Sequence, residues 1–255
     1  MLVKMMGRQP VSRREMLGLM GTAAAVFVTG CERPERGLRD PDRTGLAPAA
    51  ATAAMPACIV RPEQTEGPYF LDEKLNRADV RSEPADGSVK PGVSLRVIFD
   101  VSRVDGAACA PLNGAIVDLW QCDATGVYSG VRDMAGGFDT RGEKFLRGFQ
   151  VTGVRGTAQF LTIYPGWYPG RAVHIHFKIR AQPASERALE FTSQLYFDEA
   201  VTDHVHQQSP YNAKGRGRIM NDADSLFRRG GKQLMPAVTK DVDGYTARFG
   251  IGLKM

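Results

Sequence analysis

Two histidines, His174 and His176, stand one residue apart in the segment VHIHFKIR, whose composition is typical of a β-strand. Side chains two positions apart on a strand point to the same face and lie roughly 6.6 Å apart along the backbone. Both imidazoles can therefore reach one metal ion, while the apolar side chains between and beside them pack against the opposite face. On spacing alone, metal binding and ordinary polar burial are equal alternatives.

The neighbourhood of this pair offers phenols rather than carboxylates. No Asp or Glu completes an iron triad of two histidines and one carboxylate, and Ile179 and Arg180 stand where a cupin would carry glutamate. Tyr164 and Tyr168 stand just ahead of the pair, and Tyr128 lies further upstream in the segment DATGVYSG. A phenol titrates near about pH 10 in water, but a bound trivalent cation strongly favours its anion. Two phenolates and two imidazoles therefore predict an Fe(III) site.

A second histidine pair, His204 and His206, lies in the segment TDHVHQQSP. Its flanking residues are polar, so the segment predicts an exposed loop or a helix turn, and we do not expect these histidines to bind a metal. A copper or zinc site built from both pairs is kept as an alternative.

Strands must position these side chains, and from residue 58 onward the pattern is that of an all-β protein. Short runs rich in Val, Ile, Phe and Tyr alternate with Gly, Pro, Asp and Asn, which predicts a sandwich or a barrel. The predicted strands are 94–104, 115–121, 147–153, 157–164, 171–180, 191–198 and 244–253. The segment 222–230, DADSLFRRG, predicts one short helix with Asp or Asn at its start and Gly at its end.

The N-terminal segment has the pattern of an export signal. The motif SRREML at positions 12–17 runs into an uncharged, mostly apolar stretch that ends at residue 30. This predicts a twin-arginine signal peptide over residues 1–30, too short and too rich in Gly and Ala for a stable membrane span. The sequence VTGC makes Cys31 a candidate for lipid attachment, and cleavage near the alanine-rich stretch 47–54 is the alternative. The expected location is periplasmic or anchored to a membrane as a lipoprotein.

The rest of the chain divides into a tether and one domain. Residues 31–57 contain almost no large apolar side chains, which predicts a flexible linker. Residues 58–255 are predicted to form a single domain, and 43% apolar content over the chain is ordinary for a globular protein. Removing residues 1–30 deletes four basic residues and one acidic residue, so the net charge falls from +5 to +2. No basic stripe interleaved with aromatics occurs, so nucleic-acid binding is not expected.

Three cysteines remain after such processing: Cys58, Cys109 and Cys122. An exported chain can keep a disulfide, and one bridge with one free thiol is the simplest arrangement. All three pairings are open at this stage.

Four blocks of this sequence resemble the intradiol ring-cleavage dioxygenases, the family that contains the protocatechuate and catechol dioxygenases. They are EQTEGPYF (63–70), PLNGAIVDLWQCDATGVYSG (111–130), KFLRGFQVTGVRGTAQFLTIYPGWYPGRAVHIHFKIR (144–180) and TSQLYF (192–197). The resemblance implies the family's β-sandwich, with short helices and long loops, as a catalytic domain over residues 58–255.

The resemblance also implies a set of iron ligands. Tyr128 matches the tyrosinate that stays bound to a non-haem Fe(III), and Tyr168 matches the one that leaves when substrate arrives. His174 and His176 match the two histidine ligands. The implied reaction is O2-dependent intradiol cleavage of a catechol-type diol to a cis,cis-muconate-type dicarboxylic acid.

Three further positions match residues around the substrate. Arg171 matches an arginine that stabilises negative charge on the activated ring, Gln194 a glutamine near the same pocket, and Tyr69 a residue of the pocket wall. The chain departs from protocatechuate-type relatives because Pro169 and Gly170 follow the exchangeable tyrosine directly, without an insertion and tryptophan. It also has no room for the helical dimerisation segment of catechol-type relatives. The choice of diol and the oligomeric state are therefore left open.

A non-catalytic alternative exists, because parts of the second and third blocks also resemble prealbumin-like binding modules. Those modules lack the combination of Arg171, His174 and His176, so this triplet favours the enzyme over an exported binding module.

Overall fold

Eleven strands and a few short helices make up the computed structural model, which describes residues 59–106, 108–181 and 188–255. The strands are β1 (Ser94–Asp105), β2 (Ala108–Pro111), β3 (Ile116–Trp120), β4 (Arg132–Asp133), β5 (Phe138–Asp139), β6 (Arg147–Val151), β7 (Thr157–Ile163), β8 (His174–Ala181), β9 (Leu189–Tyr196), β10 (Ala237–Asp241) and β11 (Gly244–Lys254). One sheet has the order β10-β11-β1-β2, with β7 also paired to β1, and a second has the order β6-β3-β8-β9. Strands β4 and β5 form a separate hairpin.

Aromatic side chains from the two sheets meet in the core. The rings of Phe99 on β1 and Phe177 on β8 have centroids 5.2 Å apart, and Phe177 lies 5.6 Å from Phe249 on β11. All three are buried, so the apolar faces of the two sheets are packed against each other. The predicted all-β sandwich is confirmed. All seven predicted strands exist, and the short strands β2, β4, β5 and β10 were not predicted.

Strand β8 lies in the middle of its sheet, between β3 and β9, and is buried on both faces. Its pairing places Trp120 of β3 on one side of His176 and Gln194 of β9 on the other. His174 is paired with Tyr196. The face opposite the core therefore carries the histidine pair with an aromatic and an amide side chain directly beside it.

The predicted strand 171–180 begins three residues late, at His174. The preceding residues form a turn in which Gly170 has φ +85°, a conformation that favours glycine. Arg171 and the amide of Ala172 are hydrogen-bonded to a side chain from elsewhere in the chain rather than to a neighbouring strand. Hydrogen bonds to a distant side chain thus hold residues 171–173 in a turn, although the alternation of apolar and polar residues predicted a strand there.

The prediction of one helix over 222–230 was wrong. Two 3-10 helices occupy this region, Asn221–Ala223 and Phe227–Arg229. Between them Asp224 is extended, with ψ 122°, because its carboxylate accepts hydrogen bonds from the second helix and from the turn before β8. Gly230 ends the segment with φ 112°, as the predicted C-terminal glycine should.

One α-helix, α1 (Glu199–His206), was not predicted as such. Asp198 caps it by accepting hydrogen bonds from the amides of Ala200 and Val201. The other helical segments are 3-10 turns at Tyr211–Lys214, Asn221–Ala223, Phe227–Arg229 and Gly231–Leu234. Among the described residues, no helix has the length and apolar character needed to cross a membrane.

Four of the sequence-based predictions fall outside the described residues: the signal peptide (1–30), the lipid-attachment candidate Cys31, the linker (31–57) and Cys58. Of the other cysteines, Cys109 is disulfide-bonded and Cys122 is a buried free thiol. The two pairings that involve Cys122 are therefore excluded.

Candidate metal centre and active site

Four predicted ligands come together at the outer face of β8. The Nε2 atoms of His174 and His176 are 3.0 Å apart, and the Tyr168 hydroxyl lies 3.1 Å from His174 Nε2. The Tyr128 ring centroid is 5.7 Å from that of Tyr168 and 6.3 Å from that of His176. The histidines come from β8 and the tyrosines from the loops that follow β3 and β7, so one strand and two loops build the cluster.

The donor atoms of this cluster fit a hard trivalent ion. The Tyr128 hydroxyl is buried and has no hydrogen-bond partner among the described residues. His174 Nδ1 lies 2.6 Å from the Ala172 carbonyl; the ring therefore donates from Nδ1, which leaves its Nε2 lone pair directed into the cluster. A buried hydroxyl without a partner costs about 1–3 kcal/mol, a cost that coordination of a cation removes. Two phenol oxygens and two imidazole nitrogens suit Fe(III).

Burial controls the protonation of these groups in the absence of a cation. Desolvation raises the pKa of Tyr168 to about 12, against the opposing effect of the nearby Arg171 charge. Desolvation, followed by the neighbouring Tyr168 phenol, raises the pKa of Tyr128 well above its ordinary value. Desolvation and then the Arg171 charge lower the pKa of His174 to about 3, and the pKa of His176 is also lowered well below its usual range. At neutral pH the four metal-free ligands are therefore all uncharged.

This neutrality predicts that the metal-free protein loses stability in acid. Unfolded histidine binds a proton below about pH 6.5, whereas folded His174 does so only near a pKa of about 3. Between these two pH values the unfolded state binds more protons than the folded state. The free energy of unfolding should therefore fall by about 1.4 kcal/mol for each histidine as the pH is lowered by one unit. Urea unfolding from about pH 7 to about pH 5 measures this slope.

Two variants separate this effect from general acid sensitivity. His174→Gln should reduce the slope, whereas His204→Gln, which removes an exposed imidazole on α1, should keep it. Equal slopes in all three proteins would contradict the assigned burial of a neutral His174.

Arg171 lies beside the cluster and is held on several sides. Its Nε donates to Asp224 at 2.9 Å, and its Nη2 donates to Gln194 Oε1 at 2.5 Å and to the Tyr196 hydroxyl at 3.2 Å. Its Nη1 is 3.5 Å from His174 Nε2. A permanent positive charge therefore faces the atom that is predicted to bind iron.

Gln194 and Tyr196 connect this arginine to the segment that precedes Tyr69. Gln194 Nε2 donates to the Thr65 carbonyl at 3.0 Å, and the Tyr196 hydroxyl lies 2.8 Å from Gln64 Oε1. Gln194 is fully buried. The predicted glutamine thus orients the arginine and also fixes the loop that covers the site.

Tyr69, which the resemblance assigns to the pocket wall, lies directly against the cluster. Its ring stacks on Tyr128 with centroids 4.3 Å apart, and its hydroxyl donates to Asp133 at 2.6 Å. On its outer side lies an open cleft of about 490 Å³ that is lined in part by Pro68 and Met134. Tyr69 therefore separates the predicted retained ligand from this cleft.

Several residues that sequence analysis missed also shape the site. Trp120 stacks on His176 at 5.1 Å with the rings nearly parallel, and Gly67 passes so close that a Cβ there would lie 3.2 Å from the His176 ring. Arg147 is 2% exposed and donates to the Ser129 hydroxyl and to the carbonyls of Ser129 and Tyr69. Gly67, Trp120 and Arg147 all lie in the family-like blocks, which is the one signal that pointed to them.

The second histidine pair lies in the last turn of α1. His206 is half-buried, with its Nε2 3.0 Å from the Pro165 carbonyl and its ring stacked on Tyr211 at 5.2 Å, while His204 is exposed. In the described ranges, no group of three or more His, Cys, Asp or Glu side chains is arranged to hold a metal ion. A copper or zinc site that combines the two pairs is thus not assembled there.

Comparisons with known proteins place this chain among dioxygenases. A family profile described as Dioxygenase matches residues 65–214, a range that includes every predicted site residue. A chlorocatechol 1,2-dioxygenase from Pseudomonas sp. (strain P51) is 30% identical over 146 residues, which cover 52% of this chain and 54% of that protein. The chain thus spans about half the length of this curated relative.

Solved structures with a similar fold include two at 32% identity. An intradiol ring-cleavage dioxygenase from Tetranychus urticae has a TM-score of 0.65, with coverage of 77% of this chain and 95% of that chain. The dioxygenase domain of a dioxygenase carbohydrate-binding protein fusion from Streptomyces sp. SirexAA-E has a TM-score of 0.53, with coverage of 77% and 99%. With the profile match over more than half of its length, this chain belongs to the intradiol ring-cleavage dioxygenase family.

Proposed function

We propose that this protein is a non-haem Fe(III) dioxygenase that cleaves a catechol-type diol with O2 to a cis,cis-muconate-type dicarboxylic acid. The observation that carries the proposal is the convergence of Tyr128, Tyr168, His174 and His176 beside Arg171. The chlorocatechol enzyme among its relatives supports a catechol-type substrate.

When bound, Fe(III) supplies the Lewis acidity that lets a catechol bind as its dianion and react with O2. Binding such a dianion requires acceptors for two phenolic protons, and the Tyr168 oxygen is one of them. Its ring is half-buried at the edge of the cluster. Tyr128, by contrast, is 1% exposed and pinned by the ring of Tyr69. Tyr168 can therefore move away with a proton, while Tyr128 stays in place.

Arg171 acts on the charge that develops on the substrate. Its guanidinium is oriented before the substrate arrives, so it needs no reorganisation when the ring becomes electron-rich. Fixed donors of this kind contribute about 3–4 kcal/mol to the stabilisation of a transition state. The burial of His174 and His176 limits access of water from behind the ligands.

Oxygen uptake with a panel of diols tests the proposal. The iron-loaded full chain should consume one O2 per catechol and produce a muconate-type diacid, identified by mass spectrometry and NMR. The panel should include catechol, 4-chlorocatechol, hydroxyquinol and protocatechuate. Iron-loaded protein that consumes no O2 with any of them, or that opens the ring beside rather than between the hydroxyls, would refute the proposed reaction.

The two tyrosines should differ in their effect on the visible spectrum. Ferric phenolate absorbs visible light, so the iron-loaded protein should be red to burgundy. Tyr128→Phe should bleach most of the band because it removes the retained phenolate. Tyr168→Phe should keep iron and part of the band but take up fewer protons when a catechol binds, as measured with a pH indicator.

Tyr245→Phe is the matched control for the tyrosine variants, because Tyr245 is a largely buried phenol on β11 in the other sheet. It should leave the spectrum unchanged. If Tyr128→Phe and Tyr168→Phe both retain the wild-type band, the ligand assignment is wrong.

The non-catalytic alternative and the copper or zinc alternative lack supporting observations. A prealbumin-like module needs no buried cluster of phenols and imidazoles next to a fixed guanidinium. A site made from both histidine pairs would need His206, whose Nε2 is engaged with the Pro165 carbonyl.

We further propose export by the twin-arginine route, with the mature domain periplasmic or tethered through a lipid on Cys31 and the linker 31–57. The support is the motif at positions 12–17 and the VTGC sequence that ends at Cys31. Cys31→Ser should shift the protein from the membrane fraction to the soluble periplasmic fraction. Replacement of both arginines of the motif should retain it in the cytoplasm. An unchanged distribution in both variants would contradict the export proposal.

A further inference from the structure

Asp224 is a buried carboxylate, 1% exposed, whose two oxygens together receive four N–H groups. Its Oδ2 accepts from Arg171 Nε and from the amide of Ala172, each at 2.9 Å. Its Oδ1 accepts from the amides of Leu226 at 2.7 Å and Phe227 at 3.4 Å. One oxygen thus binds the turn before β8, and the other binds the start of the 3-10 helix Phe227–Arg229.

The contact with Arg171 determines which edge of the guanidinium faces the cluster. Nε is bound to Asp224, and Nη2 is bound to Gln194 and Tyr196. These contacts come from different sides of the planar group, so rotation about its long axis would break at least two of them. Nη1 is left facing His174 Nε2 at 3.5 Å.

The contact with Ala172 reaches the cluster by a second route. The Ala172 amide donates to Asp224, and the Ala172 carbonyl accepts the Nδ1–H of His174 at 2.6 Å. The carbonyl that selects the His174 tautomer therefore belongs to a residue whose position is held by Asp224.

We infer that Asp224 is a positioning residue for the dioxygenase reaction, and that it acts by orienting Arg171 towards the bound diol. The inference rests on the proposed function. The family profile ends at residue 214, so Asp224 lies in a part of the chain that the profile does not match. It acts through Arg171 and is not itself in contact with the ligand cluster.

The substitution Asp224→Asn removes the charge and one acceptor oxygen while it keeps the size of the side chain. The side chain introduced by Asp224→Asn has nearly the same shape, but its amide nitrogen is a donor and cannot accept the N–H groups that one of the aspartate oxygens now binds. The variant must therefore lose either the contacts to Arg171 and Ala172 or those to the 3-10 helix. In both cases the charge opposite Arg171 is removed.

A double-mutant cycle with Arg171→Gln measures whether Asp224 acts through Arg171. In the iron-loaded full chain, with catechol as the probe, Asp224→Asn should lower kcat by about 10- to 100-fold and change KM by less than about threefold. The iron content should remain that of the wild type. In the Arg171→Gln background, Asp224→Asn should lower kcat by at least about threefold less than it does in the wild type, because Arg171 is already absent and only the contact with Ala172 is left to lose.

Asp198→Asn is the matched control, because Asp198 also caps a helix with its carboxylate but binds no arginine among the described residues. Asparagine caps a helix about as well as aspartate, so this variant should have a melting temperature close to that of the wild type and should leave kcat unchanged. A kcat loss from Asp224→Asn that multiplies fully with that of Arg171→Gln would overturn the inference. A wild-type kcat in Asp224→Asn would overturn it as well.

A second measurement on the metal-free full chain does not depend on the proposed function. The Arg171 Nε–H should exchange slowly with solvent in a 15N NMR spectrum of the wild type and at least about tenfold faster in Asp224→Asn. Unchanged exchange would show that Asp224 does not hold Arg171 and would overturn the inference. If exchange changes as expected but no diol is cleaved by the wild type, the proposed function fails while the positional role of Asp224 stands.

Discussion

His176→Ala is expected to abolish iron binding and to lower the rate of oxygen uptake by more than about 100-fold. Loss of a residue that only hydrogen-bonds to a metal ligand lowers activity by roughly 10- to 100-fold, and loss of a ligand itself should cost more. The His176 imidazole is buried, stacked on Trp120, and directs Nε2 at the cluster. Among the described residues, no group of three or more His, Cys, Asp or Glu side chains offers the ion another site. Iron content per chain and the visible band are the measurements, read together with the rate.

The second histidine pair supplies the control for this prediction. His204→Ala removes the same side chain, at the same His-x-His spacing, from an exposed position on α1. It should retain iron, colour and turnover. Equal loss of iron from His204→Ala and His176→Ala would contradict the tyrosine–histidine site and favour a centre made from both pairs.

Arg171→Gln is expected to lower kcat by about 10²- to 10³-fold with little change in KM for the diol. Glutamine has neither the charge nor the forked geometry of the guanidinium, so stabilisation of the developing negative charge is lost. Arg171→Lys should recover only a small part of the rate. A single ammonium group cannot donate to both Asp224 and Gln194 and also place an N–H group towards the cluster. Steady-state oxygen uptake separates the effect on kcat from that on KM.

Arg248→Gln provides the comparison for Arg171, because Arg248 forms an exposed ion pair with Asp100 on the other sheet. Exposed pairs contribute only about 0–1 kcal/mol to stability, so this variant should behave as the wild type. If Arg171→Gln retains more than about half of the wild-type kcat, the guanidinium does not act on the reacting ring.

Strand β8 combines the core and the site, and this explains why the site is rigid. Ile175 and Phe177 point into the core between the sheets, while His174 and His176 occupy the opposite face. Because β3 and β9 flank β8 on both sides, its backbone cannot shift without breaking two ladders. The spacing of the two imidazoles is therefore set by the sheet rather than by a loop.

Local rules were sufficient for much of the fold. Alternating apolar residues predicted β1, β7 and β8 to within a few residues, because side chains on a strand alternate between two faces regardless of the partner strand. The segment 222–230 failed for the opposite reason. Asp at its start and Gly at its end are compatible with one helix. Asp224, however, adopts an extended conformation in which its carboxylate accepts a hydrogen bond from the turn before β8.

The sequence by itself determined which chemistry the protein could support. Two histidines on one strand face, with tyrosines and no suitable carboxylate nearby, are a property of residue type and short-range geometry, and they predict a phenolate and imidazole site for a hard cation. The family-like blocks added the roles of Tyr69, Arg171 and Gln194.

Only the tertiary structure decided how these groups are oriented. Asp224 binds Arg171 across 53 residues of sequence, and Trp120 reaches His176 through the pairing of β3 with β8. No periodicity encodes such contacts, because they depend on chain closure and strand register. The burial that keeps the imidazoles neutral is likewise a result of packing: it removes water from groups whose types were already evident in the sequence.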